Sequence, residues 1–298
     1  MNRKGQRKIA LMLVLPAIIL FLIMTIYPFA YMIYTSFTNL DLSKTGTGKF
    51  IGVGNYIEIF QDPLARSSIG FTVMLVLIAV PTEMLLGLGL SYLIRGLSGE
   101  KIMRSLLLIP MMVPAAVGGF GWKMLYNFMF GPINYFLSFF GIQPITWFGK
   151  ANYAQSAILI IDIWQWTPFV FLIMYAALQA LPRDIIDAGK VDGANGWKLF
   201  LHIELPLLKP ILYVTLLLRV IDVLKTFDII YMTTYGGPGS ATSTWSFYAY
   251  KVGVSYGWNI GYGSALSVIL LIVSILLVNT LMKLLNIGKE LGLSKAEG

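Results

Sequence analysis

Long apolar stretches alternate with shorter polar segments along most of this sequence. Six of the stretches contain about 20 or more mostly apolar residues, which is the length that an α-helix needs to cross the hydrocarbon core of a bilayer. We predict transmembrane helices at residues 9–37, 69–94, 106–126, 154–180, 207–230 and 263–285. The pattern therefore indicates an all-α, polytopic membrane protein with one transmembrane domain over residues 1–298.

The composition supports this class and narrows the chemistry. The chain is 57% hydrophobic and 12% charged, whereas soluble domains contain about 25% charged residues. Such a low content of charge argues against a soluble enzyme and against intrinsic disorder. The absence of cysteine excludes disulfides and thiolate metal sites, and the single histidine, His202, argues against a histidine-built metal centre or catalytic triad. We therefore expect no metal site.

The distribution of positive charge predicts the orientation. With both termini inside, 14 of the 22 basic residues lie in or beside internal segments, five lie in external segments, and three lie within the predicted helices. This asymmetry follows the positive-inside rule and places both termini in the cytoplasm. We attribute the net charge of +8 to this topology rather than to nucleic-acid binding. The first apolar stretch exceeds the roughly 7–15 residues of a signal-peptide core, so we expect it to be retained.

The internal segment at residues 181–206 is longer than a connection between two spans requires. Pro182 suits the start of a helix, which we expect to run from Arg183 to Val191. Gly193 then occupies a position where helices often end in the left-handed conformation. A second short helix is expected before Pro206, which fits the start of the fifth span. Exposed Ile, Trp and Phe side chains here indicate either a docking surface for a partner or an amphipathic stretch at the lipid interface.

The same segment resembles the cytoplasmic loop of the permease subunits of binding-protein-dependent ABC importers. That loop has the form E-A-A-x3-G-x9-I-x-L-P, and the corresponding residues are Asp187, Ala188, Gly189, Gly193, Ile203, Leu205 and Pro206. The spacing agrees throughout, as does the position before the last two predicted spans. Asp187 replaces Glu and Gly189 replaces Ala. The shorter carboxylate puts a carried-over salt bridge in doubt, and the glycine should weaken the helix slightly.

A second resemblance narrows the family to carbohydrate importers. Residues 231–242 contain Tyr-Gly-Gly-Pro followed by Thr242, and residues 261–267 read Gly-Tyr-Gly-Ser-Ala-Leu-Ser. These segments are similar to the L-T-x-G-G-P-x-x-x-T and G-Y-x-S-A signatures of permeases such as the maltose F-subunit and the glycerol-phosphate A-subunit. A Gly-Gly-Pro sequence alone indicates only a turn. The resemblance covers the second to the sixth span.

The resemblance implies a type I ABC importer permease fold in a prokaryotic plasma membrane. It implies a second homologous permease, two cytoplasmic ATPase subunits, and an extracytoplasmic binding protein that delivers a carbohydrate. Residues 187–193, including Asp192, would form the coupling helix on the ATPase. We expect no cofactor on this chain and no enzymatic activity of its own, because it lacks a phosphate-binding G-x-x-x-x-G-K-[ST] loop and ATP would bind the partner subunits.

Ionisable residues within the predicted spans are expensive and often line an aqueous path or a protein interior. Asp162, Trp166 and Phe169 share one face of the fourth span, and three polar residues share one face of the fifth: Arg219, Asp222 and Thr226. These six residues are candidates for solute contact, since sugars are bound by polar side chains beside an aromatic ring. The alternative is a buried Asp162–Arg219 network that joins the spans. For Glu83 we expect a packing or partner contact.

Other functions predict different partners. A secondary transporter acting alone would leave the 187–206 motif unexplained, and an intramembrane enzyme needs a catalytic constellation that is not apparent. An ABC permease for a non-sugar solute is a further alternative. The charge of the solute stays open, because Arg219 favours an acidic sugar whereas Asp222, three residues later, would neutralise it.

Overall fold

The structure, a computed structural model, describes residues 3–285. Within that range it is helical, and its one β-type contact is an isolated bridge between Thr38 and Phe50. The helices are α1 (Arg3–Ser36), α2 (Gly54–Gln61), α3 (Pro63–Leu93), α4 (Glu100–Met112), α5 (Ala115–Leu125), α6 (Pro132–Ser138), α7 (Ala151–Gln179), α8 (Arg183–Val191), α9 (Gly196–Leu199), α10 (Leu205–Leu224), α11 (Asp228–Met232), α12 (Trp245–Tyr250) and α13 (Ile260–Leu284). Two π-helical segments occupy Phe200–Glu204 and Lys251–Ser255.

Four of the described helices are long and apolar enough to cross a bilayer: α1 from Met12 onward, α3, α7 and α13. The pair α4 and α5 makes a fifth if it is counted as one bent span. The predicted fifth span corresponds to α10, which is not among these helices because it carries three charged residues, Lys209, Arg219 and Asp222. The described residues thus contain four to five such spans, against the six predicted.

The structure interrupts the predicted span over residues 106–126. The chain breaks between α4 and α5, and the two helices meet at an angle of 95°. Val113 is extended, with φ −80° and ψ 126°, because the ring of Pro114 disfavours the helical conformation in the preceding residue. The break turns the first residue of α5 toward the cavity that is described below.

The side chain of Gln165 on α7 forms hydrogen bonds with the backbone at this break. Its Nε2 donates hydrogen bonds of 2.8 Å to the carbonyl oxygens of both Pro110 and Val113. Pro114 has no N–H with which to continue the helical ladder to Pro110, and the amide of Val113 donates a 3.2 Å hydrogen bond to that carbonyl instead. Gln165 is buried and supplies a second donor to Pro110 together with a donor to the carbonyl of Val113.

The structure also interrupts the predicted span over residues 207–230. Helix α10 ends at Leu224, and the chain passes through three non-helical residues before the short helix α11. The hydroxyl of Thr244 donates a 2.7 Å hydrogen bond to the carbonyl of Thr226 within that interruption.

The chain divides into two compact units. The first consists of residues up to Asp62 together with Ala249–Leu271. Within it, the hydroxyl of Thr35 on α1 donates to Ser264 on α13 at 2.9 Å, and Tyr262 donates to Asp62 at 2.7 Å. These bonds link α13 to both α1 and the segment that follows α2.

The second unit consists of Pro63–Tyr248 and the residues from Ile272 onward. Its core is the contact between α3 and α7, which is close because Gly87 has no side chain. A Cβ at that position would come within 2.6 Å of Val170. Helix α10 packs against both α3 and α7, and its Leu208 is buried with Leu178. This arrangement brings the charged residues of three helices together.

Candidate functional site

Arg219 of α10 lies at the centre of a buried cluster of charged residues. Its Nε and Nη2 atoms donate to the two carboxylate oxygens of Glu83 on α3, at 2.6 and 2.9 Å. Nη2 also donates to Asp162 on α7 at 3.2 Å, and Nη1 donates to Asp222 at 2.7 Å. Glu83, Asp162 and Arg219 are at most 1% exposed, so the guanidinium joins three helices where water cannot compensate an unpaired charge.

Two further features of this cluster concern Asp162 and Arg219. The Oδ1 atom of Asp162 is buried and has no hydrogen-bond partner among the described residues. The ring of Trp166 covers the guanidinium of Arg219, with 4.8 Å between the ring centroid and Cζ, and it meets the ring of Phe169 edge to face. The cluster thus presents an unsatisfied acceptor beside an aromatic surface.

A small cavity of about 80 Å³ adjoins the cluster. It lies between α7, the start of α5, and the interrupted end of α10. Its lining residues are Ala115, Asp162, Trp166, Asp222, Lys225, Thr226, Phe227, Asp228 and Ile229. The volume is below the 300–1,000 Å³ of a typical ligand pocket, so it holds water or one edge of a larger solute.

Of the six residues predicted for solute contact, some line this cavity and others do not. Four of them line the cavity: Asp162, Trp166, Asp222 and Thr226. Phe169 lies behind Trp166, and Arg219 is buried among carboxylates rather than at the cavity wall. The arrangement around Arg219 therefore has the geometry of the alternative, a network that joins helices.

The 181–206 loop contains a short helix that is closed by a Schellman motif. The amide of Ala194 donates to the carbonyl of Gly189 at 2.9 Å, and the amide of Gly193 donates to Lys190 at 3.0 Å. Gly193 has φ +85°, the left-handed conformation expected at that position. The motif glycine is thus explained by the backbone turn that ends α8 at Val191.

Gly189 is buried against the second half of the motif. A Cβ added to it would come within 2.2 Å of Ile203 Cδ1. Asp187 and Ala188 are exposed, and Asp187 pairs with Lys190 at 2.9 Å. Leu205 and Pro206 begin α10, as the sequence predicts, and Asp192 lies at the C-terminus of α8.

The loop is attached to the end of α3 by two contacts. Arg95 donates a 2.7 Å hydrogen bond to Glu204, whose side chain is 1% exposed. Tyr92 packs against Phe200 with their ring centroids 4.6 Å apart. The expectation of an exposed Phe was wrong, since Phe200 is 5% exposed and covers the helix end. Ile185, Val191 and Trp197 do remain exposed.

The Gly-Gly-Pro segment forms a compact loop. Thr242 shares a 2.7 Å hydrogen bond with Thr234 and donates another of 2.7 Å to the carbonyl of Gly237. The adjacent carbonyl of Ala241 accepts a 2.8 Å bond from Gln155 on α7. The signature threonine therefore closes the loop beside α7.

The sequence did not predict three sets of contacts. These are the pairing of Glu83 with Arg219, the pairing of Arg95 with Glu204, and the hydrogen bonds of Gln165 to the break between α4 and α5. The partners are far apart in the chain, and a single sequence carries no signal that pairs them. The one available signal was that charges within spans need partners.

Comparison with known proteins identifies the family. The family described as "Binding-protein-dependent transport system inner membrane component" matches residues 83–288. The chain belongs to this family. It is therefore a membrane-embedded permease component of an ABC importer and not itself an enzyme, as the loop motif predicts.

Several relatives in the family are named for their solutes. The sulfoquinovosyl glycerol permease SmoG of Agrobacterium fabrum is 38% identical, over 95% of this chain and 92% of SmoG. The trehalose/maltose permease MalF of Thermococcus litoralis is 36% identical, over 89% of each chain. The trehalose permease SugA of Mycobacterium tuberculosis is 32% identical, over 90% of this chain and 86% of SugA.

The solved structures agree on the fold. A chain of a bacterial ABC transporter for the acidic polysaccharide alginate superposes with a TM-score of 0.84 at 19% identity, covering 95% of this chain and 96% of that one. The same transporter, bound to a pentasaccharide-loaded periplasmic protein, gives 0.82. The fold is thus that of type I ABC importer permeases.

Proposed function

We propose that this permease translocates a carbohydrate that an extracytoplasmic binding protein delivers. The relatives named above are permeases for sugars or sugar glycosides, and the carbohydrate signature lies in the loop that Thr242 closes. The chain would act beside a second, homologous permease. Two cytoplasmic ATPase subunits would bind the ATP, so this chain would hold no cofactor.

The observation that carries this proposal is the attachment of α8 to the membrane helices. Gly189 contacts Ile203, and the adjacent Glu204 is paired with Arg95 just beyond the end of α3. A displacement of α8 is therefore transmitted to α3 and α10 through buried contacts rather than through a flexible linker. This is the mechanical property required of a coupling helix.

The exposed surface of α8 would contact an ATPase subunit. Ile185 and Val191 are 45% and 88% exposed, and Trp197 is 64% exposed while stacking on Phe200. Apolar side chains of this size on a loop surface indicate a protein interface. Both termini and this loop would be cytoplasmic, as the distribution of basic residues indicates.

Transport would follow from a shift between two conformations. ATP binding would close the ATPase pair, and the closed pair would bind α8 differently from the open pair. The difference in binding free energy would favour the outward-facing arrangement of the spans. Hydrolysis would reverse the shift, and the binding protein would release its sugar only to the outward-facing state.

The cavity beside Asp162 would form this chain's part of the solute path. Asp162, Asp222 and Thr226 provide oxygen atoms that accept hydrogen bonds from sugar hydroxyls, and Trp166 provides a flat surface for the apolar face of a sugar ring. Because the cavity is smaller than a monosaccharide, the second permease would complete the site. Phe169 and Arg219 would hold Trp166 in position.

Replacement of Trp166 tests this assignment. Trp166→Ala should reduce uptake of the transported sugar about tenfold or more, since alanine removes a ring that contacts the solute. The matched control is Trp164→Ala, two residues earlier on α7, where the ring packs against Trp122. Both variants should still copurify with the partner subunits. Loss of assembly in Trp166→Ala would assign the ring a structural role and contradict solute contact.

A further inference from the structure

The charge of the groups around the cavity bears on which sugars can pass. Relatives of similar identity are named for a sulfonated solute and for neutral disaccharides, so identity alone does not decide between them. Arg219 is the residue that would recognise an anionic sugar. Its hydrogen bonds therefore determine whether its guanidinium is available to the solute in addition to the ammonium group of Lys225 on the cavity wall.

Arg219 is already occupied. Four of the five N–H donors of a guanidinium are engaged, by Glu83 with two bonds and by Asp162 and Asp222 with one each. Trp166 covers its flat face, and the residue is 1% exposed. A carboxylate or sulfonate on a sugar would have to displace a protein carboxylate from a buried pair.

The cavity wall itself is acidic. Three carboxylates line it, those of Asp162, Asp222 and Asp228, against one ammonium group, that of Lys225. In addition, Asp162 Oδ1 is buried without a hydrogen-bond partner among the described residues, so it calls for a donor rather than another acceptor. Sugar hydroxyls donate hydrogen bonds, whereas carboxylate and sulfonate groups only accept them.

We propose that this cavity selects uncharged saccharides and rejects those that carry a carboxylate, sulfonate or phosphate group. The inference rests on the proposed solute contact at this site. Asp222 and Asp162 exclude anions by direct repulsion, and Glu83 excludes them indirectly because it holds the guanidinium of Arg219 away from the solute.

The first test measures the electrostatics without any sugar. The chain has no cysteine, so Thr226→Cys introduces a single thiol at the cavity wall. In the assembled importer, a cationic trimethylammonium methanethiosulfonate and an anionic sulfonate reagent each modify this thiol, and in a control variant the thiol of Ser138→Cys on the exposed face of α6. The ratio of the cationic rate to the anionic rate should be about tenfold higher for Thr226→Cys than for Ser138→Cys. Adding Asp222→Asn should reduce that preference, and adding Lys225→Gln should increase it.

The second test uses a matched pair of sugars. Trehalose and maltose are compared with the same disaccharides in which one C6 hydroxymethyl group is oxidised to a carboxylate. The neutral sugar should slow modification of Thr226→Cys and the acidic one should not. The inference is overturned if the acidic sugar protects the thiol as well as the neutral sugar does, or if the thiol reacts faster with the anionic reagent than with the cationic one. A cation-preferring thiol that no sugar protects contradicts the proposed solute contact instead.

Discussion

The backbone of Gly189 lies against the side chain of Ile203, so close that a Cβ on the glycine would come within 2.2 Å of Ile203 Cδ1. The two residues belong to opposite halves of the loop motif. Their contact folds α8 back onto the segment that begins α10.

The contact predicts a size limit at position 189. Gly189→Ala should be tolerated, because only the flexible end of Ile203 must move and alanine favours the helix by about 1 kcal/mol. Gly189→Leu should destabilise the protein by about 1–3 kcal/mol through overpacking. Thermal unfolding of the purified complex measures this, with Val53→Leu, at a 58% exposed position outside the loop, as the control. Equal unfolding temperatures for the two leucine variants would show that the contact is absent.

The ion pair between Arg95 and Glu204 should matter far more than the exposed pair on the same loop. Arg95→Met leaves the buried carboxylate of Glu204 unpaired, for which we expect a loss of about 3–5 kcal/mol. Adding Glu204→Gln should restore part of the stability. Lys190→Met breaks the exposed pair with Asp187 and should cost about 0–1 kcal/mol. Chemical denaturation measures all three variants, and comparable losses for Arg95→Met and Lys190→Met would contradict the burial of Glu204.

The partners of Arg219 should differ in importance according to their burial. Arg219→Met leaves the buried carboxylates of Glu83 and Asp162 without their cation, so little folded protein should accumulate in the membrane. Asp222→Asn changes a partner whose side chain is 41% exposed, and the yield should stay close to that of the wild type. The monodisperse fraction after detergent extraction measures both variants. A normal yield for Arg219→Met would show that the cluster does not hold the three helices together.

Gln165 should control the break between α4 and α5. Gln165→Leu removes the side-chain donor to Pro110 and Val113 while keeping a similar volume. The carbonyl of Pro110 keeps its bond from the amide of Val113, so the loss falls on the carbonyl of Val113 and should cost about 1–3 kcal/mol. Amide hydrogen exchange should rise at the beginning of α5. Gln155→Leu, which removes the single bond to Ala241, serves as the control and should leave exchange in α5 unchanged. Unaltered amide hydrogen exchange in α5 of Gln165→Leu would indicate that other groups donate hydrogen bonds to the carbonyl groups at the break.

Local features of this fold were predictable from the sequence, and features that join distant segments were not. The end of α8 at Val191 could be predicted from the local sequence, since Gly193 takes the left-handed conformation that commonly closes a helix. Pro114 likewise carries a signal for a break, which the length of the apolar stretch at 106–126 outweighed. The 95° angle itself depends on Gln165, which lies on another helix.

The candidate site shows the same division. The spacing of Asp162 and Trp166 on α7, and of Asp222 and Thr226 near the end of α10, was enough to propose that these residues share faces. The pairing of Glu83 with Arg219 depends on how α3 packs against α10, which a single sequence does not encode in any local pattern. Because of that pairing, the guanidinium of Arg219 binds protein carboxylates and is not available to the solute.

Affinity purification of this chain from its native membranes, with mass spectrometry of the proteins that accompany it, tests the central claim most directly. The account predicts a second permease of the same family and an ATPase with a phosphate-binding loop. It also predicts that Gly189→Leu, which disturbs α8, reduces the ATPase yield and leaves the second permease in place. Recovery of the chain alone, folded and still transporting, would contradict the account.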